Sequence, residues 1–581
     1  MYILGINESH LATAALLKDG EIIACASEER FTRKKNQGGF PKLAMEFCLK
    51  YAGINIDTVD LIVFGYKDIT GSMIYHNKER GVKSVLFISR LKELVNNNLY
   101  YLCRFLPVLY TFYKFIKFLI HEIFFRYIKY YYVHNLESEL GINKKKVMFL
   151  QHQLSHAYAA YFINGKRSNK DLVITNDGSG DNSSGKVYVV KDNFFKEISS
   201  TPNDFSVAYF YYYITKFLGF RPDEEEYKVM GLAPYADSHY VKKIYSIFRN
   251  IFYFRDLNIR STIPREAYFG YISAKLSSIR FDVIAAAVQK LTEELFVLQV
   301  EKSISKTKIS NVFLGGGLAM NIKANMKISQ IGSLTSLNVC PSSGDESTSI
   351  GCCFYGYQFL NKKKSIIKQM SSLYLGPAFN ESEIQLNLNK LKKKYKITRL
   401  SNVNKSVAKL LASGNIVARF AGRMEFGARA LGNRSILADP RKINVIRVIN
   451  SQIKSRDFWM PFAPTILSEY SDAYLNNPKK IDSPFMMIGF KTTDQAKKEI
   501  PATLHPADNT CRPQILKREQ NPDYYDLINE FKKITGVGAL LNTSFNLHGE
   551  PIVCTPEDAI RTFDNSGLEY LLLENYLIQK Q

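Results

Sequence analysis

Tryptophan is almost absent from this chain, and cysteine is too sparse to organise it. The 581 residues include 1 Trp and 8 Cys, and the cysteines are scattered with no two of them separated by two residues. This excludes a disulfide scaffold and a cysteine zinc site, and it favours a reducing compartment. The first 20 residues lack a basic segment and a long apolar stretch, so we predict no secretory signal and a cytoplasmic location.

Acidic residues are also in deficit. The chain has 54 Asp plus Glu against 77 Lys plus Arg, which gives a formal net charge of +23. This balance suits anionic partners such as nucleotides, nucleic acid or an acidic membrane surface, but it does not choose among them. Many lysines lie in short runs such as 144–146, which is typical of a solvated surface. We therefore predict no stable nucleic-acid partner.

No uncharged apolar run is long enough to span a bilayer, which takes about 20 residues. The nearest candidate is the aromatic and basic segment 100–133. Within it Lys114, Lys117 and His121 would share one face of a helix, as in an amphipathic helix. The segment is expected either to pack against a core or a protein partner, or to bind a membrane surface, which would make the protein peripheral at the membrane. The sequence leaves both alternatives open.

The length predicts more than one folding unit, and the 46% hydrophobic content suffices for sizeable cores. Three strands joined by the tight turn Asp19-Gly20 open the chain, at 2–7, 12–18 and 21–27. A similar element begins at Asp171, which indicates a weak internal repeat. The segment 66–145 between the two looks inserted. A Lys-rich linker at 361–370 separates domains predicted at 1–365 and 371–581, both α/β.

Two histidines and two aspartates form the first candidate site. His152 and His156 are four residues apart in a stretch of helical composition, so their imidazoles would share one face and could hold a metal ion. Asp177 and Asp345 lie in glycine-bounded turns, where each could add an oxygen ligand. This donor set suits iron, zinc or manganese. The alternative is a pair of surface histidines.

A glycine triplet follows a predicted buried strand at 312–314. The backbone of Gly315, Gly316 and Gly317 could approach a phosphate closely, although such a triplet is a weak signal for a ligand loop.

The second candidate site is a run of arginines interleaved with glycines. Arg423, Arg429 and Arg434 do not share a helical face, but a glycine-hinged loop could converge them on a polyanion such as ATP or an acyl phosphate. The alternative is an exposed basic surface. Further candidates for the same pocket are Arg441, Lys454, Arg456 and the segments around Arg512 and Ser544.

Taken together, these motifs resemble the ATP-dependent O-carbamoyltransferases of nodulation-factor, tobramycin and cephamycin biosynthesis. The resemblance covers nearly the whole chain outside 66–145. The segments that carry it are ASEERFTRKK (26–35), HQLSHA (152–157), EYKVMGLAPY (226–235), LGGGLAMN (314–321), GDES (344–347), GRMEFGARALGNRSILADPR (422–441), FWMPFAP (458–464) and LNTSFNLHGEPIV (541–553).

The resemblance implies an N-terminal actin-like domain, related to the threonylcarbamoyl transferases, and a C-terminal YrdC-like domain. It also implies two half reactions. The C-terminal domain would make carbamoyl adenylate from carbamoyl phosphate and ATP, with Mg accompanying the ATP. The N-terminal domain would pass the carbamoyl group to an acceptor hydroxyl of a sugar, secondary metabolite or nucleoside.

Residue roles follow from the same resemblance. It implies that His10 is the general base and that Lys35 stabilises negative charge, while Lys228 helps to hold the nucleotide. The implied metal ligands are His152, His156, Asp177 and Asp345, with iron expected ahead of zinc or manganese. The implied ligands for carbamoyl phosphate and ATP are Arg423, Arg429, Arg434, Lys454, Arg512 and Ser544.

The chain departs from the family pattern at three positions. Leu11 stands where the family often has aspartate, Asn36 where it often has histidine, and Met460 where it often has arginine. Two other functions remain open: an enzyme related to tRNA threonylcarbamoylation, and a non-catalytic nucleotide-binding scaffold. The sequence leaves the oligomeric state open, with a dimer as one option.

Overall fold

The computed structural model describes residues 1–67, 129–130, 132–138, 140–163, 165–361, 367–370, 372–389, 391 and 394–580. These residues form a mixed α/β fold in two compact units. The first unit comprises Met1–Ala24 and Asn36–Met370, and the second comprises Cys25–Lys35 and Ser371–Gln581. The short stretch from Cys25 to Lys35, with helix α1 (Glu29–Thr32), therefore belongs with the C-terminal part of the chain.

Three antiparallel strands open the chain, as predicted. The turn between the second and third strands contains Asp19 and Gly20 with φ of 48° and 84°, the left-handed conformations that an Asp-Gly hairpin turn adopts. The second strand begins at Thr13, one residue later than expected. The first five strands are β1 (Tyr2–Asn7), β2 (Thr13–Lys18), β3 (Glu21–Ser27), β4 (Leu61–Phe64) and β5 (Val147–Phe149).

The same arrangement recurs later in the first unit. Its strands are β6 (Lys170–Gly180), β7 (Ser183–Lys191), β8 (Phe194–Pro202), β11 (Asn311–Gly315) and β12 (Ser336–Val339), with the separate hairpin of β9 (Phe252–Arg255) and β10 (Asn258–Ser261) between them in sequence. Among the described residues the first sheet has the order β3-β2-β1-β4-β5 and the second β8-β7-β6-β11-β12. In each sheet the first strand pairs antiparallel with the second and parallel with the fourth. This equivalence confirms the weak internal repeat at the level of topology.

Helices connect and cover these sheets. They are α2 (Lys42–Ala52), α3 (His152–Ile163), α4 (Val207–Phe217), α5 (Glu226–Leu232), α6 (Ser238–Arg249), α7 (Tyr268–Leu276), α8 (Phe281–Thr307), α9 (Ile322–Ser329) and α10 (Thr348–Asn361). Almost every residue of α3 is buried, which fits a core helix that is apolar on all sides. The Tyr158 hydroxyl of α3 donates to Gln358 Oε1 of α10 at 2.6 Å, so these two helices are fixed against each other.

The second unit is built on a mixed sheet. Its strands are β13 (Lys396–Arg399), β14 (Val417–Phe420), β15 (Arg434–Ala438), β16 (Ala463–Leu467), β20 (Gln514–Leu516), β21 (Ala539–Ser544), β22 (Tyr570–Leu573) and β23 (Tyr576–Gln579). Within the described part of the chain their order is β13-β23-β22-β14-β15-β21-β16-β20. A smaller sheet contains β17 (Leu475–Asn476), β18 (Phe490–Thr492) and β19 (Thr510–Cys511).

The helices of the second unit flank the large sheet and enclose an apolar core that includes Ile436, Leu541 and Phe563. They are α11 (Glu381–Asn389), α12 (Val403–Ala412), α13 (Asn444–Ile449), α14 (Ser471–Tyr474), α15 (Asp494–Glu499), α16 (Pro522–Thr535) and α17 (Pro556–Asp564). A π-helical turn at Asn450–Lys454 continues α13. Such turns are rare and occur frequently at functional sites.

Candidate functional site

Four potential metal ligands converge in the first unit. His152 and His156 lie one turn apart on α3, Asp177 lies near the end of β6, and Asp345 lies in the turn before α10. One donor atom from each lies within 4.8 Å of the others. The two Nε2 atoms are 3.2 Å apart, and His152 Nε2 is 3.1 Å from Asp177 Oδ2. Both imidazoles therefore direct Nε2 to one point between two carboxylates.

The backbone and one hydroxyl hold three of these side chains in place. His152 Nδ1 lies 3.0 Å from Gly65 O, where it donates its proton and leaves the Nε2 lone pair for a ligand. The amide of Gly317 donates to Asp177 Oδ1 at 3.0 Å. The Ser9 hydroxyl donates to Asp345 Oδ2 at 2.7 Å. Outer contacts of this kind fix the orientation of ligands at protein metal sites.

The electrostatics of the cluster suit a cation. Burial opposes charge on both acids, but the histidines outweigh it and hold the pKa of Asp345 and of Asp177 below the usual range. Burial likewise opposes protonation of His152, yet the two aspartates raise its pKa well above the ordinary value. Two partly buried carboxylates this close together thus favour positive charge at their centre, which protons or a metal ion can supply. The donor set fits a divalent ion with mixed nitrogen and oxygen ligands.

His10 lies 142 positions before His152 in the chain but close to this cluster in space. It directly follows Ser9, whose hydroxyl binds Asp345. The side-chain amide of Asn7 donates through Nδ2 to His10 O at 2.9 Å and to Leu11 O at 3.0 Å. Leu11 has a φ of 61°. The turn that presents His10 is therefore held by Asn7 and anchored to a candidate ligand.

The glycine triplet packs against the candidate metal ligands. Gly316 has a φ of 83°, and a Cβ there would lie 2.3 Å from Asn176 O, so only glycine fits. Gly317 then donates its amide to Asp177. In the structure these glycines support a ligand carboxylate, and contact of Gly315, Gly316 and Gly317 with a phosphate stays a prediction.

Cations of the second unit gather in a separate cluster. Burial, Arg456 and Lys35 hold the pKa of Lys454 well below its ordinary value. Burial, Arg429 and Arg456 do the same to the pKa of Arg512. Among the described residues, the charged neighbours responsible for these two shifts are all cations. The arrangement gathers buried positive charge that an anion would compensate.

Polar groups complete this cationic cluster. Lys454 ends the π-helical turn, and its ammonium donates to Ser544 Oγ at 3.1 Å and to Asn546 Oδ1 at 2.7 Å. Within the part of the chain that the structure describes, Arg512 Nη1 is buried without a hydrogen-bond partner. A guanidinium in that state offers donors to a phosphate or carboxylate.

Two family models match this chain. Residues 2–354 match the family model for the carbamoyltransferase N-terminus, and residues 408–580 match that for the carbamoyltransferase C-terminus. The chain belongs to the carbamoyltransferase family. It is an enzyme that transfers a carbamoyl group.

Three relatives match all or nearly all of this carbamoyltransferase. An uncharacterised protein of Synechocystis is 32% identical over 100% of this chain and 97% of its own length. One of Methanocaldococcus jannaschii is 33% identical over 100% of this chain and 99% of its own length. The nodulation protein NolNO of Sinorhizobium fredii is 29% identical over 98% of this chain and 79% of its own length.

Two arginines of the carbamoyltransferase motif bind backbone oxygens. Arg434 is 0% exposed, stacks 3.5 Å over the Phe420 ring, and donates to carbonyls that include those of Ala421 and Gly422. Arg423 donates to Leu375 O at 2.6 Å. These contacts shape the loop, and direct binding of carbamoyl phosphate or ATP by Arg423 and Arg434 stays a prediction.

Lys35 and Lys228 have different surroundings. Lys35 belongs to the second unit, where it contributes to the positive potential at Lys454. Lys228 lies on α5 in the first unit and pairs with Glu225 Oε1 at 3.0 Å. A nucleotide contact of Lys228 stays a prediction.

The sequence alone did not point to Ser9, Gly65 or Asp223. Ser9 acts through its contact with Asp345, and Gly65 acts through a carbonyl that carries no sequence signal. The Asp223 carboxyl is exposed, and its charge interacts with that of His10. Asp223 is therefore a charged neighbour of the predicted general base, although 213 residues separate them in the chain.

The predicted amphipathic segment 100–133 lies mostly outside the described residues. Where its end is described, the Tyr132 hydroxyl donates to the Glu8 carboxylate, next to the turn that carries His10. None of the described helices is long and apolar enough to cross a membrane.

Proposed function

We propose that this carbamoyltransferase makes carbamoyl adenylate in its second unit and transfers the carbamoyl group in its first unit to an acceptor hydroxyl of a sugar, secondary metabolite or nucleoside. The buried cationic cluster around Lys454 and Arg512 is the observation that carries the proposal. Burial and the neighbouring cations lower the proton affinity of Lys454 and of Arg512, as expected of a site completed by a polyanion. ATP and carbamoyl phosphate, with Mg bound to the ATP, would supply that charge.

We propose further that the first unit, predicted at 1–365, has an actin-like fold and the second, at 371–581, a YrdC-like fold. The equal strand order of the two five-stranded sheets supports the first part, because the actin-like fold consists of two related halves.

The adenylation step begins with carbamoyl phosphate. Water takes its phosphoryl group, which releases inorganic phosphate and leaves carbamate. A carbamate oxygen then attacks the α-phosphorus of ATP, and pyrophosphate leaves. Lys454, Arg512 and Arg429 would hold the phosphates and stabilise the negative charge that develops on them. Ser544 would orient the Lys454 ammonium through its 3.1 Å hydrogen bond.

The transfer step consumes the adenylate. The acceptor hydroxyl oxygen attacks the carbonyl carbon, the bond to the phosphate oxygen breaks, and AMP leaves. His10 would take the hydroxyl proton, because the ordinary pKa of histidine lies near working pH. His152, His156, Asp177 and Asp345 would hold a divalent metal, iron with zinc and manganese as alternatives, which supplies Lewis acidity near the reacting groups.

Pyrophosphate release from ATP and carbamoyl phosphate, without acceptor, tests the first step. Wild-type enzyme should release pyrophosphate only when both substrates are present. Arg512→Ala should lower the rate by about 100-fold or more, as the loss of a charge-stabilising donor does in other enzymes. Arg518→Ala is the matched control, because Arg518 lies in the same unit but pairs with Asp526 at the surface, 63% exposed.

Three results would contradict the proposal: release with ATP alone, no release with both substrates, or a normal rate in Arg512→Ala. The second step is tested by adding candidate acceptors and replacing His10 with Asn. That variant should release pyrophosphate normally but transfer no carbamoyl group. Equal transfer by wild type and variant would remove His10 as the base.

A further inference from the structure

A two-residue turn lies directly beside the candidate metal ligands. Strands β6 and β7 are joined by Asp181 and Asn182, with φ of 49° and 66°, between the paired residues Gly180 and Ser183. Two-residue turns of this shape favour Asn, Asp or Gly at their first position, so the backbone alone admits Asp181. The contacts of its carboxylate give it a further role.

The Asp181 carboxylate caps the helix that carries both candidate histidine ligands. Helix α3 begins at His152, and the backbone amide of His152 donates to Asp181 Oδ2 at 2.7 Å. The first amides of a helix lack partners within the helix, and a carboxylate there also interacts favourably with the helix dipole. The cap is supplied from 29 residues away rather than by the residue before the helix.

The same carboxylate holds the strand end that orients the His152 ring. Both oxygens of Asp181 accept the amide of Lys67 at 2.9 Å. Lys67 lies two residues after Gly65, whose carbonyl binds His152 Nδ1. Asp181 thus ties the backbone of His152 to the segment that sets its tautomer.

Gly180 completes the contact with this histidine. A Cβ at Gly180 would lie 2.1 Å from His152 Cδ2, so the imidazole packs directly on the strand backbone. The end of β6 therefore provides the ligand Asp177, a surface for the His152 ring at Gly180, and the cap of its helix at Asp181.

We propose that Asp181 is a positioning residue for the metal centre: it sets the place and orientation of His152 without contacting the metal. This inference rests on the proposed metal site. It gives the acid in the turn a role that glycine, which also suits the backbone, could not fill.

Binding of Co²⁺ to metal-free protein tests the inference, with visible absorption and competition by a chelator as readouts. Asp181→Gly removes the carboxylate but suits the turn. Asn182→Gly is the matched control, because it makes the same kind of change at the neighbouring positive-φ position, where the side chain is exposed. We expect Asp181→Gly to weaken Co²⁺ about 10- to 100-fold, as changes to outer-shell partners do, and Asn182→Gly to bind as wild type.

The thermal unfolding of both metal-free variants separates positioning from folding. A positioning role predicts similar midpoints for the two metal-free proteins, with loss of metal affinity confined to Asp181→Gly. Equal affinity of Asp181→Gly and wild type would overturn the inference but leave the proposed function intact. Absence of Co²⁺ binding by wild type would overturn both the metal site and this inference.

Asp181→Asn decides the question if the glycine variant does not fold. Asparagine tolerates positive φ, but its amide nitrogen cannot accept a hydrogen bond, so it cannot reproduce both carboxylate oxygens. Weaker Co²⁺ binding with an altered absorption band is expected. An unchanged affinity and band would refute the positioning role.

Discussion

The two charged clusters of this carbamoyltransferase differ in how they are neutralised. The cluster of the first unit combines carboxylates with imidazoles, and each partner shifts the pKa of the other toward its charged form. The cluster of the second unit combines cations. Burial and the neighbouring cations shift the pKa of Lys454 and of Arg512 away from the charged form. The first arrangement can be stable with protons in place of a metal. The second arrangement carries buried positive charge that a bound anion would compensate. An anionic substrate could supply that charge.

The largest expected effect comes from removing a candidate metal ligand of the first cluster. Asp177→Ala should reduce metal affinity by more than about 100-fold, because it deletes a donor atom rather than one of the outer contacts that cost 10- to 100-fold. Metal content after dialysis, measured by elemental analysis, checks this. Asp57→Ala removes the same charge from an exposed position of the same unit and should keep the metal. Stoichiometric metal in Asp177→Ala would end the metal assignment.

The next largest effect is a difference in stability between two arginine variants. It distinguishes Arg434, which binds backbone carbonyls, from Arg512 of the cationic cluster. Arg434→Met should destabilise the protein by about 2–4 kcal/mol, because it leaves several buried carbonyls without a donor. Arg512→Met should cost far less stability while still preventing pyrophosphate release. Denaturant unfolding of both variants measures the difference. A larger loss of stability in Arg512→Met would contradict this assignment of roles.

Replacing Lys454 should raise the free energy of unfolding, whereas replacing Arg434 should lower it. Lys454 is 2% exposed and its charge is opposed by burial and two cations. Lys454→Met should therefore stabilise the substrate-free protein by about 1–2 kcal/mol while it lowers adenylation. Unfolding with and without ATP gives the test, since ATP should protect wild type more than the variant. A destabilised variant would indicate that its bonds to Ser544 and Asn546 outweigh the charge.

The smallest effect concerns the hydroxyl that holds Asp345. Ser9→Ala should weaken metal binding by about tenfold, at the low end for an outer-shell contact. Ser9→Thr keeps the hydroxyl and should stay near wild type. Chelator competition measures both affinities. Equal affinity in all three proteins would show that Asp345 needs no support from the turn that carries His10.

Much of this fold follows from local sequence. The opening three strands, the Asp19-Gly20 turn, and the apolar run before the glycine triplet were predicted and are confirmed. The spacing of His152 and His156 predicted a shared helical face, and the structure places both on α3. These features depend on periodicity and turn preferences, which neighbouring residues determine.

The motifs also led to the family. Carbamoyltransferase models match both parts of the chain, in agreement with the resemblance drawn from its motifs. The roles of the single arginines were harder to predict. Arg423, Arg434 and Arg512 look alike in sequence, but both terminal nitrogens of Arg434 donate to backbone carbonyls, whereas among the described residues Arg512 Nη1 is buried without a hydrogen-bond partner.

By itself, then, the sequence determined the elements, the family and the residue types available for chemistry, because these depend on short-range patterns. Only the tertiary structure decided which of those residues meet. Asp345 reaches His152 across 193 positions, Ser9 reaches Asp345 across 336, and Lys35 joins the C-terminal cations. Such contacts depend on sheet order and helix packing. Every residue has a backbone carbonyl, so the sequence could not show that the carbonyl of Gly65 would bind His152.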